Sequence, residues 1–209
     1  MKEKPSLLII GNSNVGKSSI AKLLIPNPKL YKGKVGKSPG STRLIRSLDL
    51  ENMPYKIVDG PGFGYMKSAS KRREEHVKQQ IVIHVEKHHQ EYFLGLVVLN
   101  ALRIEDELDK YFIKNRKTIP LSFELIQFLR EFSMPILLII NKIDKVSIFD
   151  KKRIMSLLID AGTKYGLSFI TLDDYQKHEK GIPYLEFSAL KKTNLEDLKK
   201  CINLTLDSR

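Results

Sequence analysis

A single cysteine, Cys201, stands in a chain of 209 residues, which excludes an internal disulfide. Its place in a helical pattern near the C-terminus points to a buried or neutral thiol rather than a reactive one. No apolar run approaches the roughly 18 residues needed to cross a bilayer, the longest lying at 134–140. The apolar stretch 7–10, preceded by Lys2 and Lys4, is too short for a secretory signal. Internal repeats and a dividing linker are missing as well, so one domain over residues 1–209 is expected, large enough to build its core without staples. These absences predict a cytoplasmic, monomeric protein with no membrane association.

Acidic side chains are also in deficit: 24 Asp and Glu stand against 36 Lys and Arg, a net charge of +12. Such an excess favours a polyanionic partner held by salt-sensitive phosphate contacts. Its clusters are Lys32, Lys34 and Lys37; Lys67, Lys71, Arg72 and Arg73; and Lys110, Lys114, Arg116 and Lys117. Each also reads as a solvated basic face. No RNA-recognition motif with interleaved aromatics is visible, so any RNA would be read by shape and charge.

What is present is phosphate chemistry. Gly11-Asn12-Ser13-Asn14-Val15-Gly16-Lys17-Ser18 follows the apolar stretch 7–10 and opens a helical pattern. A glycine, four free positions and Gly-Lys-Ser allow backbone N–H groups to turn inward around phosphate oxygens. Lys17 would bring positive charge to the β- and γ-phosphates, and Ser18 a hydroxyl to Mg2+. Asn141-Lys142-Ile143-Asp144 then closes the apolar strand 136–140. Guanine presents N1–H and an N2 amine side by side, and the Asp144 carboxylate can accept both. Adenine would leave that carboxylate unpaired, a mismatch worth on the order of a thousandfold in affinity, which opposes an ATPase. Lys142 can lie over the base, and Asn141 can tie its loop to the phosphate loop.

Three weaker motifs gain meaning from their order. Asp59-Gly60-Pro61-Gly62 follows the strand 55–58, placing Asp59 to hold a Mg2+-bound water and the Gly62 N–H to meet the γ-phosphate. Pro39-Gly40-Ser41-Thr42 lies in a long loop, where the Thr42 hydroxyl would reach Mg2+ only with the triphosphate present. Ser188-Ala189-Leu190 ends the strand 184–187 and offers a backbone N–H near Ala189 to guanine O6. Each alone also reads as a plain turn or strand end.

The coarse pattern alternates strand and helix. Strands are expected at 6–10, 44–50, 55–58, 94–100, 136–140 and 184–187, and helices at 17–25, 70–89, 121–132, 150–165 and 194–206. The last helix opens on a capping-box pattern, Thr193 to Glu196. Continuous apolar runs mark strands covered on both faces. The expected fold is a three-layer α/β P-loop domain: a mainly parallel six-stranded sheet with helices on both faces and ligand at the carboxyl ends of the strands. Loops at about 26–43 and 60–73 are the expected switches. Segment 166–182 reads as irregular, and the apolar spacing of 122–129 reads as core packing. His84 and His88, four apart on a helix without an acidic third ligand, read as a polar exposed face rather than a metal site.

At this point the chain resembles the EngB (YihA/YsxC-type) branch of the translation-associated P-loop GTPases. Gly-Asn-Ser-Asn-Val-Gly-Lys-Ser-Ser (11–19), Pro-Gly-Ser-Thr (39–42), Asp-Gly-Pro-Gly-Phe-Gly-Tyr (59–65), Asn-Lys-Ile-Asp-Lys (141–145) and Phe-Ser-Ala-Leu (187–190) carry the likeness. Asn100 departs from it, where the family commonly has an acidic residue. The resemblance implies GTP/GDP and Mg2+ as ligands, Ser19 among the nucleotide-binding residues, and a switch acting in assembly of the large ribosomal subunit, on rRNA, with normal cell division depending on it. It also implies K+ held by Asn14 in place of an arginine finger, although Asn14 reads equally as a hydrogen-bonded loop brace. Lys17, Thr42, Gly62 and Asn14 are the expected catalytic residues. Phe63 stands where many small GTPases orient the attacking water with Gln, so intrinsic hydrolysis should be slow. Arg43 is a candidate internal finger but reads more simply as a phosphate or solvent contact. A rival reading from another class is a GTP-gated protein-binding module with negligible turnover and no RNA role.

Overall fold

The structure is a computed structural model that describes residues 4–31, 45–62, 71–109, 119–177 and 180–209, with only the backbone of 71–74. Its organising element is β1 (Ser6–Gly11), whose six residues are all buried. A strand without a polar face must be covered on both sides, and β1 lies inside the sheet between β3 (Lys56–Asp59) and β4 (Tyr92–Asn100), parallel to both. β5 (Ile136–Asn141) and β7 (Ile182–Phe187) continue the parallel ladder, and β2 (Arg46–Leu48) pairs antiparallel with β3. Among the described residues the sheet has seven strands, in the order β2-β3-β1-β4-β5-β7 and then Phe169–Thr171 (β6) at the edge.

Strand side chains alternate between two cores. Leu8, Ile10, Val97, Leu138 and Ile140 meet α2 (Lys71–His88), α4 (Leu121–Glu131) and α5 (Ile148–Lys164) on one face. Leu7, Ile9, Leu96, Leu137 and Ile139 meet α1 (Lys17–Leu24) and α7 (Leu195–Asp207) on the other. The α4 residues Phe123, Ile126 and Leu129 are fully buried, as the spacing of 122–129 predicts.

The seventh strand corrects the expected six. β6 (Phe169–Thr171) and the short helix α6 (Leu172–Gln176) occupy the segment read as irregular. Three residues are too few to display a period, and β6 exists because β7 offers it a parallel edge. A second short helix, α3 (Ile104–Leu108), follows β4. The strand expected at 44–50 is confined to Arg46–Leu48, with residue 44 outside the described residues, and residues 71–73 of the second switch loop belong to α2. The capping box does not form. Asn194 precedes α7 with φ 58 and no side-chain cap, its amide instead donating to Glu186 O at 2.8 Å, while Thr193 bridges to Ser188.

At the amino-terminal edge of the sheet the histidine pair is not an exposed face. His84 and His88 are half-buried with ring centroids 4.7 Å apart; His84 Nε2 shares a 2.7 Å hydrogen bond with the Tyr92 hydroxyl, and His88 Nδ1 lies 2.6 Å from Glu91 Oε1. Among the described residues no group of three or more His, Cys, Asp or Glu is arranged to hold a metal. Cys201 is partly buried, which pushes its thiol upward. No described helix is long and apolar enough to cross a membrane.

Candidate nucleotide site

The carboxyl end of β1 turns into the phosphate-loop motif through conformations that demand glycine. Gly11 has φ +148, and a Cβ there would lie 2.2 Å from Val98 O; Gly16 has φ +105, and its Cβ would meet Asn141 Nδ2 at 2.2 Å. Asn14 between them is left-handed at φ 63. No side chain caps the start of α1, so the first-turn N–H groups and the positive end of the helix dipole are available to an anion. Lys17 is only 6% exposed and donates to Gly11 O and Asn12 O, each at 2.9 Å. Burial lowers its ammonium to about 8, against an upward pull from Asp59. Gly62 sits against this loop: a Cβ on it would lie 2.7 Å from Ser13 Cα and 3.2 Å from Lys17 Nζ. The Ser13 hydroxyl is buried without a hydrogen-bond partner.

Asp59, at the end of β3, is fully buried beside Lys17. Its Oδ2 accepts the Ser18 hydroxyl at 2.8 Å and also the Tyr31 hydroxyl, while Oδ1 is buried without a partner. A serine hydroxyl beside a carboxylate with an orphaned oxygen is a hard, oxygen-only donor set, which fits Mg2+.

The third part comes from the ends of β5 and β7. Asn141 Nδ2 donates to Val15 O at 2.7 Å, and its Oδ1 accepts Ala189 N at 3.0 Å, so one amide joins the loops after β1, β5 and β7. Lys142, left-handed at φ 69, donates to Asn14 O at 2.6 Å. Burial lowers its ammonium, with Arg103 acting in the same direction and Asp144 opposing. Asp144 Oδ1 accepts the Ser188 hydroxyl at 2.6 Å, and that hydroxyl in turn accepts Lys191 N at 3.0 Å. The Asp144 carboxylate is thereby oriented before any base is present. Leu190, two residues after Ser188, is 68% exposed.

The structure thus brings the residues of 11–19 together with Asp59, Gly62, Asn141, Lys142, Asp144, Ser188 and Ala189. Gly40, Ser41 and Thr42, together with Pro39, Arg43, Phe63, Gly64 and Tyr65, lie outside the described residues. So do Lys32, Lys34, Lys37, Lys67, Lys110, Lys114, Arg116, Lys117 and the side chains of Lys71, Arg72 and Arg73. Asn100 caps the turn after β4 by accepting Leu102 N at 3.2 Å.

Three site neighbours escape the sequence reading. Tyr31 carries no motif. Arg46, opposite Asp59 in the β2–β3 register, has a buried NH1 without a partner. Glu107 is one of three consecutive acids, 105–107, with nothing in sequence to single it out. Its Oε2 accepts Asn12 Nδ2 at 3.1 Å, and its Oε1 accepts the Ser122 hydroxyl at 2.8 Å, linking the phosphate loop to the start of α4.

Comparison with known proteins agrees with this geometry. Residues 6–142 match the family model described as a 50S ribosome-binding GTPase. A "Probable GTP-binding protein EngB" of Methanosarcina barkeri is 32% identical over 161 residues, covering 77% of this chain and 72% of that protein. The one of Methanococcus maripaludis is 32% identical over 144 residues, 69% of this chain, and the match spans only 59% of that relative's own length. A crystal structure of a probable GTP-binding protein engB superposes with a TM-score of 0.77 at 28% identity, covering 98% of this chain and all of the other.

Proposed function

The chain belongs to the EngB family of GTP-binding proteins, within the 50S ribosome-binding GTPases, and from that premise we propose that it is a Mg2+-dependent nucleotide switch acting in assembly of the large ribosomal subunit. The observation that carries the guanine reading is the Asp144 carboxylate, held by Ser188 on a loop that Asn141 ties to the phosphate loop. A carboxylate fixed in advance accepts the paired donors of guanine without further ordering, and preorganisation of this kind converts directly into affinity.

In this reading Lys17 and the backbone of 11–18 cradle the β- and γ-phosphates, with Gly62 N–H and Thr42 completing the site when GTP is bound. Mg2+, held by Ser18 and Thr42 and through water by Asp59, supplies neutralising charge to the phosphate oxygens. Hydrolysis of GTP to GDP and phosphate is slow, because Phe63 has no group to orient water. Asn14 serves as the K+ ligand that raises the rate. The +12 charge supports an rRNA partner, and normal cell division follows from ribosome supply.

The test is co-sedimentation with isolated large ribosomal subunits in a non-hydrolysable GTP analogue, GDP or no nucleotide, each across a salt titration. Pelleting that depends on the triphosphate, survives moderate salt and disappears in Lys17→Ala is expected. Equal pelleting in every state that vanishes with salt would overturn the ribosomal reading while leaving GTP binding intact. For the cation, Asn14→Ala should abolish the difference between K+ and Na+ in the hydrolysis rate.

A further inference from the structure

Asp59 is contacted from two directions. Its backbone is fixed in the ladder, paired with Ile9 of β1 on one side and Arg46 of β2 on the other. Its side-chain orientation, which the backbone pairing does not set, decides which oxygen faces the metal position beside Ser18. Two hydroxyls converge on the same oxygen, Oδ2: one from Ser18, at the head of α1, and one from Tyr31. The other oxygen, Oδ1, is left buried and unpartnered.

Tyr31 does not reach Asp59 on a loose segment. Asn27 caps the turn Pro28–Leu30 by accepting Lys29 N at 3.0 Å, and Tyr31 N closes it onto Pro28 O at 3.3 Å. The Tyr31 ring is 5% exposed within the core shared by Val15, Ile20, Ala21 and Leu24, and Lys22 Nζ lies 5.6 Å from its centroid. A phenol held this way donates its proton to the carboxylate.

We infer that Tyr31 is a positioning residue of the Mg2+ site, its hydroxyl holding Asp59 Oδ2 so that Oδ1 is presented to a metal-bound water. The inference rests on the reading of Ser18 and Asp59 as Mg2+ residues, and it adds the start of the first switch loop to that site. Groups one step removed from a metal ligand set metal affinity by about 10- to 100-fold when they orient that ligand. Tyr31→Phe keeps the buried ring and removes only the hydroxyl.

The experiment measures dissociation of a fluorescent GDP analogue against free Mg2+ for wild type, Tyr31→Phe and Ser18→Ala, with the rate in EDTA as each variant's own baseline and its melting temperature as the check on folding. The Mg2+ concentration giving half the maximal slowing is expected to rise about tenfold in Tyr31→Phe and further in Ser18→Ala. A midpoint for Tyr31→Phe within about twofold of wild type, while Ser18→Ala shifts, overturns the role of Tyr31 and leaves the Mg2+ site standing. A lower midpoint also overturns it, since Tyr31 would then compete with the metal. No shift in either variant removes the Ser18–Asp59 site itself, and the inference with it.

Discussion

The two edges of the sheet treat polar groups in opposite ways. At the amino edge they close on one another: His84 with Tyr92, His88 with Glu91, Lys4 with Asp49 and Leu50 O, and Arg209 with the carbonyls of Gln90 and Glu91. At the carboxyl edge Asp59 Oδ1, Asn12 Oδ1 and Ser13 Oγ are buried without partners, and Asn14 and Lys142 hold left-handed backbone. An unpaired buried polar group costs about 1–3 kcal/mol, and a strained backbone position a similar amount. Left-handed backbone also occurs at the amino edge, at Ser133 with φ 53, but among the described residues the buried unpartnered atoms gather in the ring of loops at the carboxyl edge, where a ligand would satisfy them. Satisfaction marks structure, and its absence marks the site.

That contrast can be broken by substitution. The largest effect is expected from Asp144→Asn, which should weaken GTP by about a thousandfold and favour xanthine nucleotides, whose C2 carbonyl can accept from the new amide. Competition between GTP and XTP measures it. Lys17→Met should lower GDP affinity by at least about a hundredfold and lower the melting temperature as well, because it leaves the buried Asp59 carboxylate without its cation and the carbonyls of Gly11 and Asn12 without their donor. An unchanged GDP affinity beside that fall would mean that Lys17 serves the fold rather than the nucleotide.

Glu107→Ala tests the link between the regions, since it strips partners from Asn12 and Ser122 together. A cost of about 1–3 kcal/mol should appear as a drop of roughly 2–4 °C in melting temperature per kcal/mol, with weaker GDP binding measured by the same titration.

At the amino edge Tyr92→Phe should cost about 1 kcal/mol and leave GDP affinity alone. The smallest effect is one of pH. Burial, and the nearby His88, hold His84 below the ordinary imidazole value of 6.5. As pH falls through that value the unfolded chain takes up its proton before the folded one does, so stability declines with falling pH in that window and is level above it. Thermal melts of wild type and His84→Gln between pH 7.5 and 5.5 should differ by a shallower slope in the variant.

The carboxyl edge was legible in sequence because its chemistry is local. Phosphate is held by consecutive backbone groups, and guanine by a carboxylate three residues after Asn141, so a short window displays each motif whole. Continuous apolar runs likewise announce a doubly covered sheet. Tyr31 and Glu107 were not legible, since their partners lie 28 and 95 positions away and neither residue type is unusual where it stands. The Thr193–Glu196 pattern misled for a related reason: local hydrogen-bond preference gave way to the bond between Asn194 and the end of β7. The histidine pair was misjudged because its cover, Tyr92 and Glu91, comes from beyond the helix that carries it.

Asn141 has a consequence for how the protein tolerates change. Its amide gives to one loop and takes from another, at 2.7 and 3.0 Å. Aspartate would set a second acceptor against Val15 O, glutamine is a methylene too long for a closed pocket, and serine falls short of both partners. Few alternatives in the amino-acid alphabet carry a donor and an acceptor on that reach. The neighbouring loops can drift in sequence one residue at a time, but position 141 is a keystone: loosening it frees three arches at once, and no single substitution elsewhere resets them.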